Sequence, residues 1–463
     1  MCSAIAAFGP LNIAATAGVA PMRGCGYSSD PVPPSPLPAR RAICMSVVTI
    51  DPQTGCLVID GQKVFPIGLS EAPPAAGKAP DGTDAWSEVA GAGVSFVRSG
   101  FPNWSLPQID NQLAAERATM DAAATHGLHT WPRLGNAGNL PAGGAQPSVP
   151  EQLLVKIANG LKTHPALVAY KGVDEPALGG TPAAGLARAR TRLRAIDPDH
   201  PIVITQAPRG PVASLVPYRP AFDITGADIY PVAYPPGQHS DLPNKDISVV
   251  GDMTKKMVDA AGGKPVWMTL QIAWSGVTPN QQRPDLVPRF PTLQEERFMA
   301  YQAIVDGARG LVFFGGQLTQ VMRPRDARLG WNWTFWELVL RPLLIELTSP
   351  SVLPALIAPI AGAAVTASAA DVELTARSSG NFLFVIAVRR GGTTSRVTFS
   401  GLPPKRNGAQ LTAGQVMFEY AQDPLPPPVQ ADKQQFRFVK AANGSFKDWF
   451  GPHDAHVYRF NLV

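Results

Sequence analysis

The sequence contains eight short apolar runs between about residues 63 and 316, and most of them end in a polar or charged residue. The runs lie at 64–69, 94–98, 128–133, 167–173, 202–206, 224–230, 266–271 and 311–314. Helix-like segments lie between most of them, at 113–126, 150–163, 183–196, 253–261 and 293–307. Buried strands that alternate with helices are typical of βα units and a parallel sheet. Eight units predict a closed (β/α)8 barrel, and no glycine-rich dinucleotide motif follows the first run to favour a doubly wound sheet.

The sequence changes in character after about residue 350. Short runs rich in β-branched and aromatic residues follow one another, with Gly, Pro and Asn between them and no helical pattern. Such runs predict an antiparallel β-sandwich. We therefore predict a tail at 1–44, a (β/α)8 barrel at 45–348 and a small C-terminal β-sandwich at 349–463.

Composition excludes several classes of protein. The chain has 463 residues, of which 45% are hydrophobic and 16% are charged, so it can bury a large core. The net charge is +5, but Lys and Arg are scattered, which disfavours nucleic acid as a partner. No apolar stretch is long enough to cross a bilayer. All four cysteines fall in the first 56 residues and the seven histidines form no close pairs, so we expect no metal site and no cofactor.

The first 44 residues leave the location of the protein open. They contain a mildly apolar segment at 5–22, then Cys25 and a proline-rich stretch at 28–38. An exported protein with a lipid-modified cysteine and a tether would have these features, although no Lys or Arg precedes Arg23. The other hypotheses are a disordered tail of a cytoplasmic protein, or a true start at Met45.

The strand assignment also places the candidate functional residues. In a (β/α)8 barrel, the side chains at the carboxyl ends of the strands share one mouth. Carboxylates there can transfer protons, and flat aromatic rings stack on the apolar faces of sugars. The sequence therefore predicts a carbohydrate cleft, with these candidates in strand order: Glu71, Arg98, Trp131, Arg133, Asp174, Glu175, Asp228, Tyr230, Gln271, Trp274, Trp331 and Trp333.

The segment Val-Asp-Glu-Pro at 173–176 resembles the Asn-Glu-Pro-like motif after strand 4 in the large clan of (β/α)8 glycoside hydrolases. The resemblance covers the barrel and extends to the C-terminal sandwich. It implies hydrolysis of a glycosidic bond in an oligo- or polysaccharide, with Glu175 as general acid/base and Asp174 as a partner of the substrate. Arg98 is similar to the arginine of strand 2 in this clan, and Tyr230 to the group that orients the nucleophile.

The sequence departs from the clan at the end of strand 7, where Gln271 stands in place of the nucleophilic Glu. An amide cannot form the usual glycosyl ester. Asp228 or Glu71 could instead serve as the base of an inverting reaction, for which carboxyl groups lie about 6.5 to 9.5 Å apart. Alternatively, Asp174 and Glu175 could support substrate-assisted hydrolysis, as in hexosaminidase-type enzymes.

Two further hypotheses stay open. The protein could bind carbohydrate without cleaving it, since it has lost the usual nucleophile. It could also be a polysaccharide lyase, in which Tyr230 or another residue at the mouth abstracts a proton next to a uronic carboxylate that Arg98 or Arg133 holds.

Overall fold

The computed structural model describes residues 46–143, 146–272, 284–314, 333–420 and 436–463. Eight parallel strands form a closed barrel, in which each strand pairs with the next and β8 pairs with β1. The (β/α)8 prediction is confirmed. The strands are β1 (Ile67–Leu69), β2 (Phe96–Gly100), β3 (His129–Arg133), β4 (Tyr170–Lys171), β5 (Ile202–Gln206), β6 (Ile224–Ile229), β7 (Trp267–Gln271) and β8 (Gly310–Phe314).

A helix follows each of the first seven strands. These helices are α1 (Ala85–Gly91), α2 (Ile109–Thr125), α3 (Val149–Leu161), α4 (Ala183–Ile196), the short α5 (Val212–Leu215), α6 (Val249–Ala261) and α7 (Leu293–Val305). Helical segments at Trp333–Phe335, Trp336–Leu340, Arg341–Thr348 and Leu353–Leu356 follow β8. Short 3₁₀ helices lie at Leu106–Gln108, Gly135–Gly138 and Val216–Ala221. No described helix is both long and apolar enough to span a membrane.

Local sequence explains where these helices begin and end. Thr292 and Glu295 form a capping box, in which each side chain accepts a hydrogen bond from the backbone N–H of the other residue, so α7 begins with its free N–H groups satisfied. The Ser148 hydroxyl caps α3 in the same position. Helix α6 ends at Gly262, whose left-handed backbone (φ 61°) suits glycine.

Three antiparallel strands precede the barrel, at Val48–Ile50, Leu57–Ile59 and Gln62–Val64. The sequence-based reading began strand 1 at residue 64. In the structure, residues 62–64 pair with 57–59, and Pro66, which has no N–H to donate, separates this hairpin from β1. Leu57 and Ile59 belong to one apolar cluster with Phe96, Trp131 and Trp267, which fills the inside of the barrel.

The C-terminal region is one antiparallel sheet of eight strands that nearly closes on itself, which confirms a β-sandwich type of domain. In spatial order the strands are Thr366–Ala367, Ser395–Ser400, Ser445–Phe450, Phe436–Ala442, Ala413–Tyr420, Ala455–Asn461, Phe382–Arg389 and Val372–Ser379. Alternate side chains turn inward, as in residues 445–450, and Phe399, Phe446 and Tyr458 stack in the core.

The barrel and this sheet pack closely. Phe298 on α7 lies in the same apolar cluster as Ile386 and Val457 of the sheet. Arg297 pairs with Glu346 and also donates to the backbone carbonyl of Ala455. The described residues belong to a single compact unit, and the boundary at 348/349 stays a prediction. The predicted tail at 1–44 lies outside the described residues.

Candidate active site

A cavity of about 370 Å³ opens where the barrel strands end. Six of the predicted residues line it: Arg98, Trp131, Asp174, Glu175, Asp228 and Tyr230. Glu71 and Arg133 line a second cavity of about 310 Å³, which shares Arg98 with the first. The structure thus brings eight candidates to one mouth. Within the described residues, no cluster of His, Cys, Asp and Glu could hold a metal ion.

Glu175 has an unusual backbone conformation. Its φ is +44°, in the left-handed region that side chains other than glycine seldom adopt, at a cost of roughly 1–2 kcal/mol. The Glu175 N–H donates to the carbonyl of Thr205 on β5 (2.9 Å), which helps to hold this conformation. Glu175 does not begin a helix, because α4 starts at Ala183. Backbone strain that the surroundings maintain is typical of functional positions.

The Glu175 side chain contacts Asp228, which lies almost fully buried at the end of β6. Burial raises the pKa of Asp228 well above its ordinary value, and the negative charge of Glu175 and a hydrogen bond with its side chain raise it further. A buried carboxyl group beside a negative charge resists ionisation, so the protonated form of Asp228 is favoured. Asp228 Oδ1 has no hydrogen-bond partner among the described residues, and it borders the cavity.

Asp174, next to Glu175 in sequence, is in the opposite protonation state. Its side chain is 55% exposed, and its carboxylate accepts a hydrogen bond from Lys171 Nζ at 2.6 Å. Burial tends to raise the pKa of Asp174, but the charges of Lys171, Arg98 and Arg133 outweigh it and the pKa is lowered. Burial lowers the pKa of Lys171, and its pairing with Asp174 opposes this. The cavity therefore contains one carboxyl group whose ionised form is favoured, Asp174, and one whose protonated form is favoured, Asp228.

The Tyr230 side chain lies beside this carboxyl pair. Its ring stacks on His239 (4.4 Å between centroids) and on Phe314 (5.6 Å), and its N–H donates to His239 Nδ1 (3.1 Å). Burial raises the pKa of Tyr230 well above its ordinary value, and the charge of Asp228 adds to the effect. Tyr230 therefore keeps its proton and can donate a hydrogen bond to Asp228.

Gln271 lies at the end of β7 but does not border the cavity. It is fully buried, and both polar atoms of its amide bind the backbone of one residue in the loop after β6. The Val232 N–H donates to Gln271 Oε1 (2.7 Å), and Gln271 Nε2 donates to the Val232 carbonyl (2.8 Å). These two hydrogen bonds hold the loop that follows Asp228 and Tyr230 against the end of β7.

The predicted aromatic residues lie in several environments. Trp131 is buried against Phe96 and Trp267 and forms part of the cavity floor. Trp333 is also buried, within the helical segment after β8. Trp274 and Trp331 lie outside the described residues. An exposed ring is present on the loop after β6, where Tyr234 is 57% exposed and Arg289 lies 4.8 Å from its centroid.

Sequence reasoning missed two residues that shape the site. Lys171 is a lysine inside an apolar run three residues before Asp174, and a buried ammonium group needs a charged partner, so this signal was available. His239, which stacks on Tyr230, comes from a loop, and no spacing in the sequence indicates it. Both side chains border the cavity.

No protein-family model matches this sequence, and no curated protein sequence matches it. Solved structures of similar fold include a glycoside hydrolase of family 5 from Bacteroides vulgatus, with a TM-score of 0.57 and 14% identity over 90% of this chain and 93% of that one. A second structure, described as a glycoside hydrolase, has a TM-score of 0.52 and 12% identity over 90% of this chain and 97% of that one. At these identities the likeness shows the fold, a (β/α)8 barrel followed by a β domain.

Proposed function

We propose that this protein is a glycoside hydrolase that cleaves an oligo- or polysaccharide in the cavity at the barrel mouth. One observation carries the proposal: the cavity brings together Glu175, the neighbouring Asp228, whose protonated form is favoured, and Asp174, whose ionised form is favoured. Glycoside hydrolysis needs both, an acid for the leaving oxygen and an anion for the positive charge that develops on the sugar. The shared fold with solved glycoside hydrolases supports the same class.

In this mechanism the Glu175–Asp228 pair protonates the glycosidic oxygen. Glu175 is the more exposed member of the pair and so is the one that reaches the substrate, while buried Asp228 keeps the proton available near neutral pH. The bond between the anomeric carbon and the leaving oxygen then breaks, water adds to the anomeric carbon, and the proton that this water loses returns to the Glu175–Asp228 pair.

Asp174 stabilises the oxocarbenium-like transition state with its negative charge. Lys171 keeps this carboxylate ionised and fixes one of its oxygens. In our proposal Asp174, after strand 4, thus supplies the negative charge that the Glu of strand 7 supplies in the clan that this sequence resembles. Gln271 has no part in the chemistry, because both polar atoms of its amide are hydrogen-bonded to the backbone of Val232.

The other two hypotheses have less support. Tyr230 is a poor base for a lyase, because it is buried and its pKa is raised. Sugar binding without turnover would require neither a retained proton on Asp228 nor a strained backbone at Glu175.

The test is hydrolysis of a panel of aryl glycosides and polysaccharides by the parent protein and by Glu175→Gln, Asp228→Asn and Asp174→Asn. We expect the parent to release reducing sugar and Glu175→Gln to lose about a hundredfold or more in kcat/KM. Asp259→Asn, at an exposed position on α6, is the matched control and should retain full activity. In Asp228→Asn the alkaline limb of the pH profile should move to lower pH, because the carboxyl with the raised pKa is gone.

Two results would contradict the proposal. If a polysaccharide binds but no variant and no parent sample releases sugar, the protein is a binding protein. If the product absorbs in the ultraviolet as an unsaturated sugar, it is a lyase.

A further inference from the structure

The second cavity at the barrel mouth lies beside the first, and its wall contains two arginines and two glutamates. It has a volume of about 310 Å³ and shares Arg98 with the first cavity. Its other lining includes Glu71 from the loop after β1, Phe101 from the end of β2 and Arg133 from the end of β3. A chain that occupies the first cavity can therefore continue into the second.

The charged groups around this cavity are paired, with one exception. Arg98 is bound to Glu71 at 2.8 Å, Lys171 to Asp174 at 2.6 Å, and the carboxylate of Glu116 accepts from Ser99 Oγ and the Gly100 N–H. The Arg133 guanidinium makes no hydrogen bond and no ion pair with any residue that the structure describes. It is nevertheless half-buried, and its pKa is lowered by burial and by the charge of Arg98, which the nearby charges of Asp174 and Glu71 offset only in part.

A guanidinium in such a position, without a hydrogen-bonded anion, favours the binding of one. Water solvates it only in part, and the neighbouring cation Arg98 raises the cost of its charge. The planar fork of N–H donors matches a carboxylate, which it can bind with two parallel hydrogen bonds. A neutral hydroxyl could accept one of these bonds but would bring no negative charge to the guanidinium.

We propose that Arg133 binds the carboxylate of an acidic sugar, a uronosyl residue, in the second cavity. This inference rests on the proposed function and makes it more specific, since the substrate becomes an acidic glycan with a uronosyl unit next to the bond that is cleaved. Arg98 contributes positive potential but keeps Glu71 as its direct partner. A sulfate ester offers related chemistry, and the experiment separates it from a carboxylate.

The experiment is calorimetric titration of the full chain with trisaccharides of glucuronate or galacturonate, each against its neutral counterpart, and with glucose 6-sulfate. The variants are Arg133→Gln, which removes the charge, and Arg133→Lys, which keeps the charge without the fork. Arg396→Gln, at an exposed position of the C-terminal sheet, is the control. Thermal unfolding of each variant checks that it folds.

We expect at least one uronate to bind about tenfold or more tightly than its neutral counterpart, and this preference to weaken as salt is added. Arg133→Gln should lose about tenfold to hundredfold in uronate affinity and less than about threefold for neutral sugars, as for loss of a hydrogen bond to a charged group. The uronate affinity of Arg133→Lys should lie between those of the parent and of Arg133→Gln. The affinity of Arg396→Gln should match that of the parent.

Equal affinity for uronates and neutral sugars would overturn the inference, as would a uronate preference that survives in Arg133→Gln. Tight binding of the sulfated sugar alone would replace the carboxylate by a sulfate ester and overturn the uronosyl assignment. Uronate binding that depends on Arg133, without any hydrolysis, would support this site and refute the proposed enzyme. Hydrolysis of neutral glycans that depends on Glu175, without uronate preference, would do the reverse.

Discussion

Replacing Gln271 by Glu would restore the residue that the resembling glycosidases have at the end of strand 7. We expect this change to destabilise the fold without creating a nucleophile. The side chain is fully buried, and its two polar atoms face a backbone N–H and a backbone carbonyl of Val232 at 2.7 and 2.8 Å. An ionised carboxylate would face the carbonyl oxygen with an oxygen of its own.

The magnitude follows from this geometry. In Gln271→Glu the new carboxyl group could make both bonds while protonated, with its O–H donating to the Val232 carbonyl, so the cost is that of keeping it protonated. Each pH unit above the ordinary Glu pKa of about 4.3 costs about 1.4 kcal/mol, which gives about 1 kcal/mol at pH 5 and about 4 kcal/mol at pH 7. The folded state of Gln271→Glu binds more protons than its unfolded state, so its stability falls as pH rises.

Urea denaturation at pH 5 and pH 7 measures this difference, and hydrolysis assays follow any gain in activity. Gln112→Glu is a matched control, because the Gln112 amide also accepts from one backbone N–H (Ser105, 2.9 Å) and donates to one backbone carbonyl (Asn103, 2.9 Å), but at a partly exposed position. Water can solvate that carboxylate, so we expect a cost below about 1 kcal/mol. Equal stability of Gln271→Glu at both pH values, or a tenfold gain in hydrolysis, would refute the structural role of Gln271.

Two predictions concern the packing of the barrel against the C-terminal sheet. Burial and the charge of Glu373 raise the pKa of Asp306 from 3.8 to about 7, so the folded protein should lose stability as pH rises from about 4 to 7. Asp306→Asn should remove up to about 4 kcal/mol of this loss of stability, as measured by urea denaturation across this pH range. The same pH dependence in Asp306→Asn and the parent would refute the raised pKa of Asp306. Arg297→Met should cost about 3–5 kcal/mol, because it leaves buried Glu346 without its cation. Arg396→Met, at an exposed position, should change stability by about 0.5 kcal/mol or less, and similar values for the two arginine variants would refute this account.

The barrel was predictable because buried parallel strands leave a strong signal in sequence. The strands Ile202–Gln206 and Trp267–Gln271 are mostly apolar, end in a glutamine and are buried along their whole length. The N-terminal hairpin at 57–64 was not predicted, since each of its strands is only three residues long and the barrel interior that it covers is formed by distant parts of the chain.

The residues at the barrel mouth were also predictable, because strand ends meet there, but their pairing was not. Glu175 and Asp228 come from strands that are not neighbours, and whether their side chains touch depends on the backbone at Glu175, which turns into the left-handed region. The tryptophans show the same limit. Trp131 follows a strand pattern that suits a cleft, yet its ring packs inward against Phe96.

The position of Gln271 connects these observations. Its amide makes two hydrogen bonds to the backbone of Val232, which lies two residues after Tyr230 and four after Asp228. These bonds connect the end of β7 to the segment that contains Asp228. Asp228 can retain a proton only while it stays buried against Glu175, because burial is the main cause of its raised pKa. A charged side chain at 271 would disturb this loop and add a negative charge nearby. An amide at the end of β7 therefore suits a site in which one carboxyl group follows β4 and the other lies on β6.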